Sequence, residues 1–260
     1  MKHKMPYRCK DCRKFFSVRT KSTLAESNIS LHKWLMAMYL LNTNLKGVPS
    51  TKLANDLGIT QKTAWFLAHR IRKAFEDQQE AKFVSDVEVD ETYMGGKYSN
   101  MHKSRKPRMV GAGPQDKTPV VGIKERGSGK VKAKVTERAS GVLLRGMVTE
   151  TVKEGAVVYT DQNRSYEGLV KKNYKHESVN HGVGEYIRGK AHTNGVESFW
   201  SMLKRGHTGV YHKMSPKHLQ RYIDEYVGRH NIRPLATIEQ IEITFKGMNG
   251  KRLKYKELID

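Results

Sequence analysis

Three carboxylates stand out by the company they keep. Asp90 closes Val87-Glu-Val-Asp90, Asp161 closes the apolar run Val157-Val-Tyr-Thr-Asp161, and Glu197 lies in Asn194-Gly-Val-Glu-Ser-Phe-Trp200. An acid at the carboxyl end of a buried strand is held at the sheet edge by a rigid support. Oxygen ligands brought together from three separate elements suit hard cations such as Mg2+ or Mn2+. Two such ions about 3.5–4 Å apart activate an attacking oxygen and stabilise a leaving one in an in-line phosphoryl transfer. Lys204 follows Glu197 by about two helical turns, so both share one helix face and the lysine can reach a phosphate beside the metals. Spacing alone does not isolate this trio, because the chain has 26 acids and Asp86, Glu88 and Glu91 are near competitors.

The elements that must hold these residues can be read from hydrophobic periodicity. Val84–Met94 alternates as a strand and ends at Gly95-Gly96. Pro119–Glu125 and Lys130–Glu137 read as two strands joined by the hairpin turn Arg126-Gly-Ser-Gly129. Val142–Val152 reads as a helix, Ala156–Thr160 as a short buried strand, and Tyr174–Asn180 as a further strand. Helices are predicted over His192–Arg205 and Pro216–His230, the second with Ser215 as its cap and Pro216 in its first turn. Phe199 and Trp200 read as core residues, and His207, His212 and His218 are too spread to suggest a metal site.

Residues 23–80 read as all-helical and precede this α/β part. Ser30, Ser50 and Thr60 are positioned to cap three helices, with a tight turn at Gly58-Ile59 between the second and third. A helix, a short glycine turn and a second helix form a helix-turn-helix plan. Its second helix would offer Gln61, Lys62, Thr63 and Arg70 to phosphates and base edges; the plain alternative is a helical bundle with a solvated polar face.

Charge points to a polyanionic partner. Lys and Arg number 48 against 26 Asp and Glu, a formal net charge of +22. Neutralising phosphates releases condensed counterions, and no small neutral substrate needs such an excess. Residues 97–132 carry ten Lys/Arg against Asp116 and Glu125, and the stretch 97–117 within them reads as a basic loop. A surface of this kind can steer DNA toward a carboxylate cluster. The longest apolar run, Trp34–Leu41, is too short to span a bilayer, and no signal-peptide core is present. Cys9 and Cys12 are the only cysteines, which sets a reducing, cytoplasmic location as the expectation, nucleoid-associated if the polyanion is DNA. Their spacing is that of half a zinc knuckle, a partial site at most, and with two of the four ligands a structural zinc needs, zinc binding is not expected.

Several blocks resemble the DDE transposases of bacterial and archaeal insertion sequences, in particular their ISXO-like branch. They are Tyr7–Thr20, Val89-Asp-Glu-Thr-Tyr-Met-Gly-Gly-Lys97, Tyr159-Thr-Asp161, His192–Arg205, Gly209-Val-Tyr-His212 and His218-Leu-Gln-Arg-Tyr222. The resemblance implies an RNase H-like core with Asp90 on the first strand, Asp161 on the fourth and Glu197 on a later helix. It also implies a zinc ribbon and a helix-turn-helix ahead of that core; here the ribbon looks halved. Some members of the family carry asparagine as the third ligand, which keeps Asn194 open beside Glu197.

The expected organisation is a truncated ribbon-like basic segment at 1–22, a helix-turn-helix region at 23–80, an RNase H-like α/β catalytic domain at 81–240 and a tail at 241–260. The expected activity is metal-dependent cleavage at transposon ends followed by 3′-hydroxyl strand transfer. Two ions would be held by Asp90, Asp161 and Glu197, with Lys204 and Arg205 on the DNA. The partners would be double-stranded DNA, as terminal inverted repeats and target, and further copies of the chain. The alternatives are a non-catalytic helix-turn-helix DNA-binding protein and another RNase H-like nuclease such as a junction resolvase.

Overall fold

The computed structural model describes residues 5–76, 81–96, 102–105, 117–161, 164–166, 168–170, 173–179 and 192–260. Most of the basic stretch 97–117, and Asn180 at the end of the last predicted strand, lie outside the described residues. The chain divides into two units, one of residues 1–78 with 233–260 and one of residues 79–232.

The first unit opens with a small antiparallel hairpin, β1 (Tyr7–Arg8) and β2 (Phe15–Phe16). Three helices follow: α1 (Leu31–Thr43), α2 (Ser50–Leu57) and α3 (Gln61–Arg72). Ser30 and Thr60 cap as predicted, their hydroxyls accepting from the Lys33 and Thr63 backbone N–H groups. Ser50 is instead the first helical residue of α2, and its hydroxyl accepts from Gln61 Nε2 at 2.8 Å. Apolar stripes from the three helices, including Trp34, Met38, Leu53, Leu57, Leu67 and Ile71, form one core.

The stretch read as a tail folds into this unit. Helix α7 (Thr237–Gly247) brings Ile241 and Phe245 to the core, and Met248 is fully buried there. Asn42 Nδ2 on α1 donates to Thr244 Oγ1 at 3.1 Å, both groups buried. A short helix α8 (Tyr255–Ile259) ends the chain.

The second unit is an RNase H-like α/β core. Its strands are β3 (Val87–Met94), β4 (Thr118–Glu125), β5 (Val131–Val135), β6 (Val157–Asp161) and β7 (Lys175–Val179), in the order β5-β4-β3-β6-β7. The first three form an antiparallel meander; β6 and β7 extend it in parallel with β3. Side chains alternate across this sheet. Val87 and Val89 pack with Leu144 and Val148 of helix α4 (Gly141–Thr151) on one face. Met94, Val120 and Val131 pack on the other face against helices α5 (Asn194–Gly206) and α6 (Pro216–Ile232). Among the described residues, no helix is long and apolar enough to cross a membrane.

Candidate active site

Parallel pairing sets Asp90 and Asp161 side by side. Glu88 of β3 pairs with Tyr159 of β6 at the end of their ladder, and Asp90 and Asp161 each follow two residues later on their own strands. Oxygens of Asp90, Glu91 and Asp161 lie within 4.8 Å of one another. Among the described residues this is the one grouping of three or more acids, histidines or cysteines close enough to share a metal ion. Glu91, by sequence only a near competitor of Asp90, is thus part of the cluster. It follows Asp90 on the strand and points to the α4 side, where the buried Tyr166 hydroxyl donates to Glu91 Oε1 at 2.7 Å.

Glu197 arrives from α5. It lies in the first turn of that helix, and Thr193 Oγ1 donates to its Oε1 at 2.8 Å. Glu197, Ser201, Lys204 and Arg205 of α5 line one cleft with Asp90, Glu91, Thr92 and Thr208, enclosing about 620 Å3. Asn194 is not part of this lining, although it lies on the same helix. Phe199 and Trp200 are core residues as predicted, but Trp200 does more than fill space. Its indole N–H donates to Asp90 Oδ2 at 3.0 Å. Its ring lies on Gly122, the β4 partner of Asp90, where any Cβ would stand 2.4 Å from a ring carbon. A glycine is therefore required at that position for α5 to approach the sheet.

Electrostatics follow from the crowding. Burial, then the charges of Asp161 and Glu197, push the Asp90 carboxyl up to about 6, against the pull of the Trp200 hydrogen bond. Burial also raises Glu91 to about 7, with Asp161 and Asp90 adding to it and the Tyr166 hydroxyl opposing. Converging, oxygen-only, mutually repelling carboxylates are a donor set that fits a hard divalent cation. Asp90, Glu91 and Asp161 could hold such an ion; Glu197 stands outside that grouping but lines the cleft with Asp90 and Glu91, whereas Asp161 is not part of the lining.

The helical residues named from sequence divide into two groups. Gln61 and Lys62 are exposed at the start of α3 and Thr63 is half-buried, with Lys62 Nζ 4.8 Å from the Tyr255 ring centroid. Arg70 is a correction: it is only 6% exposed, donates to the Ala25 carbonyl at 2.6 Å and lies over the Trp34 and Phe66 rings. Its position on α3 falls in an arc that packing has closed from Leu67 to Arg72, so it holds the unit together and does not face a ligand.

Cys9 and Cys12 sit in the turn of the β1–β2 hairpin, where the Cys9 N–H donates to Lys14 O at 2.9 Å. Backbone N–H groups of Cys12 and Asp11 lower the Cys9 thiol below its ordinary value. No histidine, acid or further cysteine among the described residues joins this pair in a metal-sized group.

Known proteins resemble the chain at several levels. It is 30% identical over 218 residues to an uncharacterized protein in the transposable element ISH50 of Halobacterium salinarum, covering 78% of this chain and 72% of that one. It is 29% identical over 102 residues to an uncharacterized transposase-like protein of Haemophilus influenzae, covering 39% of this chain and 81% of the other. Among solved structures, a simian T-cell lymphotropic virus intasome bound to the PP2A regulatory subunit B56 gamma aligns at a TM-score of 0.29 and 12% identity, over 88% of this chain and 69% of that one. A pre-cleavage Mos1 transpososome aligns at a TM-score of 0.29 and 11% identity, over 84% and 79%. Those two alignments are too loose to bear on the site. The ISXO2-like transposase domain matches residues 84–231. That span holds every strand of the five-stranded sheet together with Asp90, Asp161 and Glu197, and on it the chain belongs to the ISXO2-like transposase family.

Proposed function

We propose that this transposase cleaves DNA at transposon ends and joins the freed 3′-hydroxyl to target DNA, using divalent metal at Asp90, Asp161 and Glu197. The observation that carries the reading is the meeting of Asp90 and Asp161 from adjacent parallel strands, their oxygens within 4.8 Å, with Glu197 and Lys204 of α5 lining the cleft beside Asp90. Bound Mg2+ or Mn2+, most simply as two ions, would lower the cost of forming the nucleophilic oxygen and of releasing the leaving one.

The chain's own residues supply the rest. Asp90 and Asp161 are fixed by the sheet, so their oxygens keep their spacing without reorganisation. Trp200 orients Asp90 through its N–H and closes the inner wall of the cleft. Lys204 and Arg205 offer positive charge to the phosphates beside the scissile one. In the first reaction water attacks phosphorus, the P–O bond to the transposon end breaks, and a 3′-hydroxyl is left. In the second that hydroxyl attacks a target phosphodiester, one P–O bond forms and one breaks, and the target strand leaves as a 3′-hydroxyl. No protein nucleophile is needed.

The exposed start of α3, with Gln61, Lys62 and Thr63, is the proposed contact to double-stranded DNA, and copies of the chain assemble on paired ends. The test incubates the chain with labelled duplexes carrying the element's inverted repeats and a target plasmid, with Mg2+ or with EDTA. Metal-dependent joined products support the reading. Cleavage of branched DNA without joining would favour a resolvase, and binding without either reaction a regulator.

A further inference from the structure

We infer that Glu88 is a positioning residue for Glu197, acting by capping helix α5 from the neighbouring strand. The inference rests on the metal-dependent reading of the cleft.

Glu88 precedes Asp90 by two residues on β3 and therefore lies on the same face of the sheet. It is 2% exposed, which for a carboxylate requires full compensation. Its Oε2 accepts the Val196 N–H at 2.9 Å, in the first turn of α5. That N–H is one that a helix's own N-cap side chain would ordinarily satisfy. Here Thr193, the N-cap residue, makes no such bond and spends its hydroxyl on Glu197. A carboxylate at this end also opposes the positive pole of the helix.

The other oxygen is tied down from the turn that follows β4. Arg126 Nε donates to Glu88 Oε1 at 2.9 Å, its Nη2 donates to His192 O at 2.7 Å, and its guanidinium lies 3.8 Å from the Tyr159 ring centroid. Lys124 Nζ donates to Gly195 O at 3.0 Å, and His192 Nδ1 lies 3.3 Å from Glu88 Oε1. The approach demands a glycine: a Cβ at Gly195 would stand 2.6 Å from Glu88 Oε2. Glu88 of β3, Lys124 of β4 and Arg126 just after it thus clamp the segment 192–196 immediately before Glu197. Since the strand that carries Asp90 also carries Glu88, the clamp fixes the third carboxylate relative to the first.

The test uses the full chain and three readouts: Mn2+ titration followed by electron paramagnetic resonance without DNA, single-turnover joining of labelled ends, and Tm. Glu88→Ala and Gly195→Ala attack the clamp from its two sides. Each is expected to raise the half-saturating Mn2+ concentration and slow joining by about tenfold or more, the range found when groups supporting metal ligands are removed. DNA affinity should stay at the parental level. Glu88→Gln keeps an oxygen for the Val196 N–H and should recover part of both losses. If Glu88→Ala does not fold, Gly195→Ala with Glu88→Gln decides alone. Parental Mn2+ affinity and joining in these variants, with only Tm lowered, would overturn the inference and leave Glu88 a purely structural ion pair. Asp90→Ala is run alongside: joining retained there would sink the transposase reading instead, while the Mn2+ titration would still judge Glu88.

Discussion

Replacing Asp90 by asparagine should make the metal-free protein more stable while abolishing its activity. Asparagine keeps the shape and keeps an oxygen to accept the Trp200 N–H. Its amide N–H groups face carboxylates where a third negative charge had been. The Asp90 carboxyl is raised from its ordinary 3.8 to about 6 by burial and by Asp161 and Glu197. A carboxyl whose folded pKa lies above its unfolded value stabilises the fold at low pH, and that contribution is lost as pH rises through the folded value. Two pH units at 1.36 kcal/mol each make ionised Asp90 a liability of about 3 kcal/mol at pH 8. Asp90→Asn removes it, which for a chain of this size corresponds to a Tm gain of roughly 6–12 °C without metal. Below about pH 4 the gain should vanish, because Asp90 is then neutral in both states. Mg2+ should stabilise the parent at pH 8 and narrow the difference. Thermal unfolding in EDTA across pH 4–8 measures this. A variant no more stable than the parent at pH 8, or a gain independent of pH, would refute the account of the carboxylate cluster.

Other expectations follow from the charge and from the first unit. Affinity for nonspecific duplex should fall about a hundredfold between 50 and 200 mM salt if four phosphates are neutralised; a flat salt titration would contradict the reading of the +22 charge. Lys62→Ala should weaken DNA binding and leave Tm unchanged, whereas Arg70→Ala should cost about 1–3 kcal/mol of stability, because it empties a buried site between Trp34 and Phe66. Equal Tm values for the two variants would show that α3 has been divided wrongly. The purified chain should carry well under one zinc and keep its fold in chelator, since two thiolates do not close a tetrahedral site. Metal analysis showing one tightly held zinc, lost in Cys9→Ser, would reverse that.

Parts of the proposed catalytic frame were legible in the sequence as local signals, and the family resemblance chose among the competing acids. Apolar alternation marked β3 and β6, and an acid at the carboxyl end of each run marked Asp90 and Asp161. Glu197 was carried by the block His192–Arg205 that resembles the transposases and Lys204 by its two-turn spacing from it, and both line the cleft. What escaped depends on partners distant in the chain. Glu91 joins the cluster because Asp161 comes alongside the strand, and its hydrogen bond comes from Tyr166. Glu88 competed with Asp90 as a ligand until its partners, Arg126 and Val196, supplied another role. Arg70 looked exposed by residue type, yet α3 is buried on nearly every side over its second half. The stretch 241–260 read as a tail because its apolar positions complete a core whose other half lies before residue 79.

The central claim is that Asp90, Asp161 and Glu197 form one metal-dependent phosphoryl-transfer site. The most direct measurement is strand joining by Asp161→Ala and Glu197→Ala in Mg2+ and in Mn2+, with gel-shift affinity for the same ends measured in parallel. Each variant removes an oxygen ligand and no positive charge. Joining lost in both, with DNA affinity near the parental value, is the predicted result. Near-parental joining by either variant would remove that residue from the site and break the account.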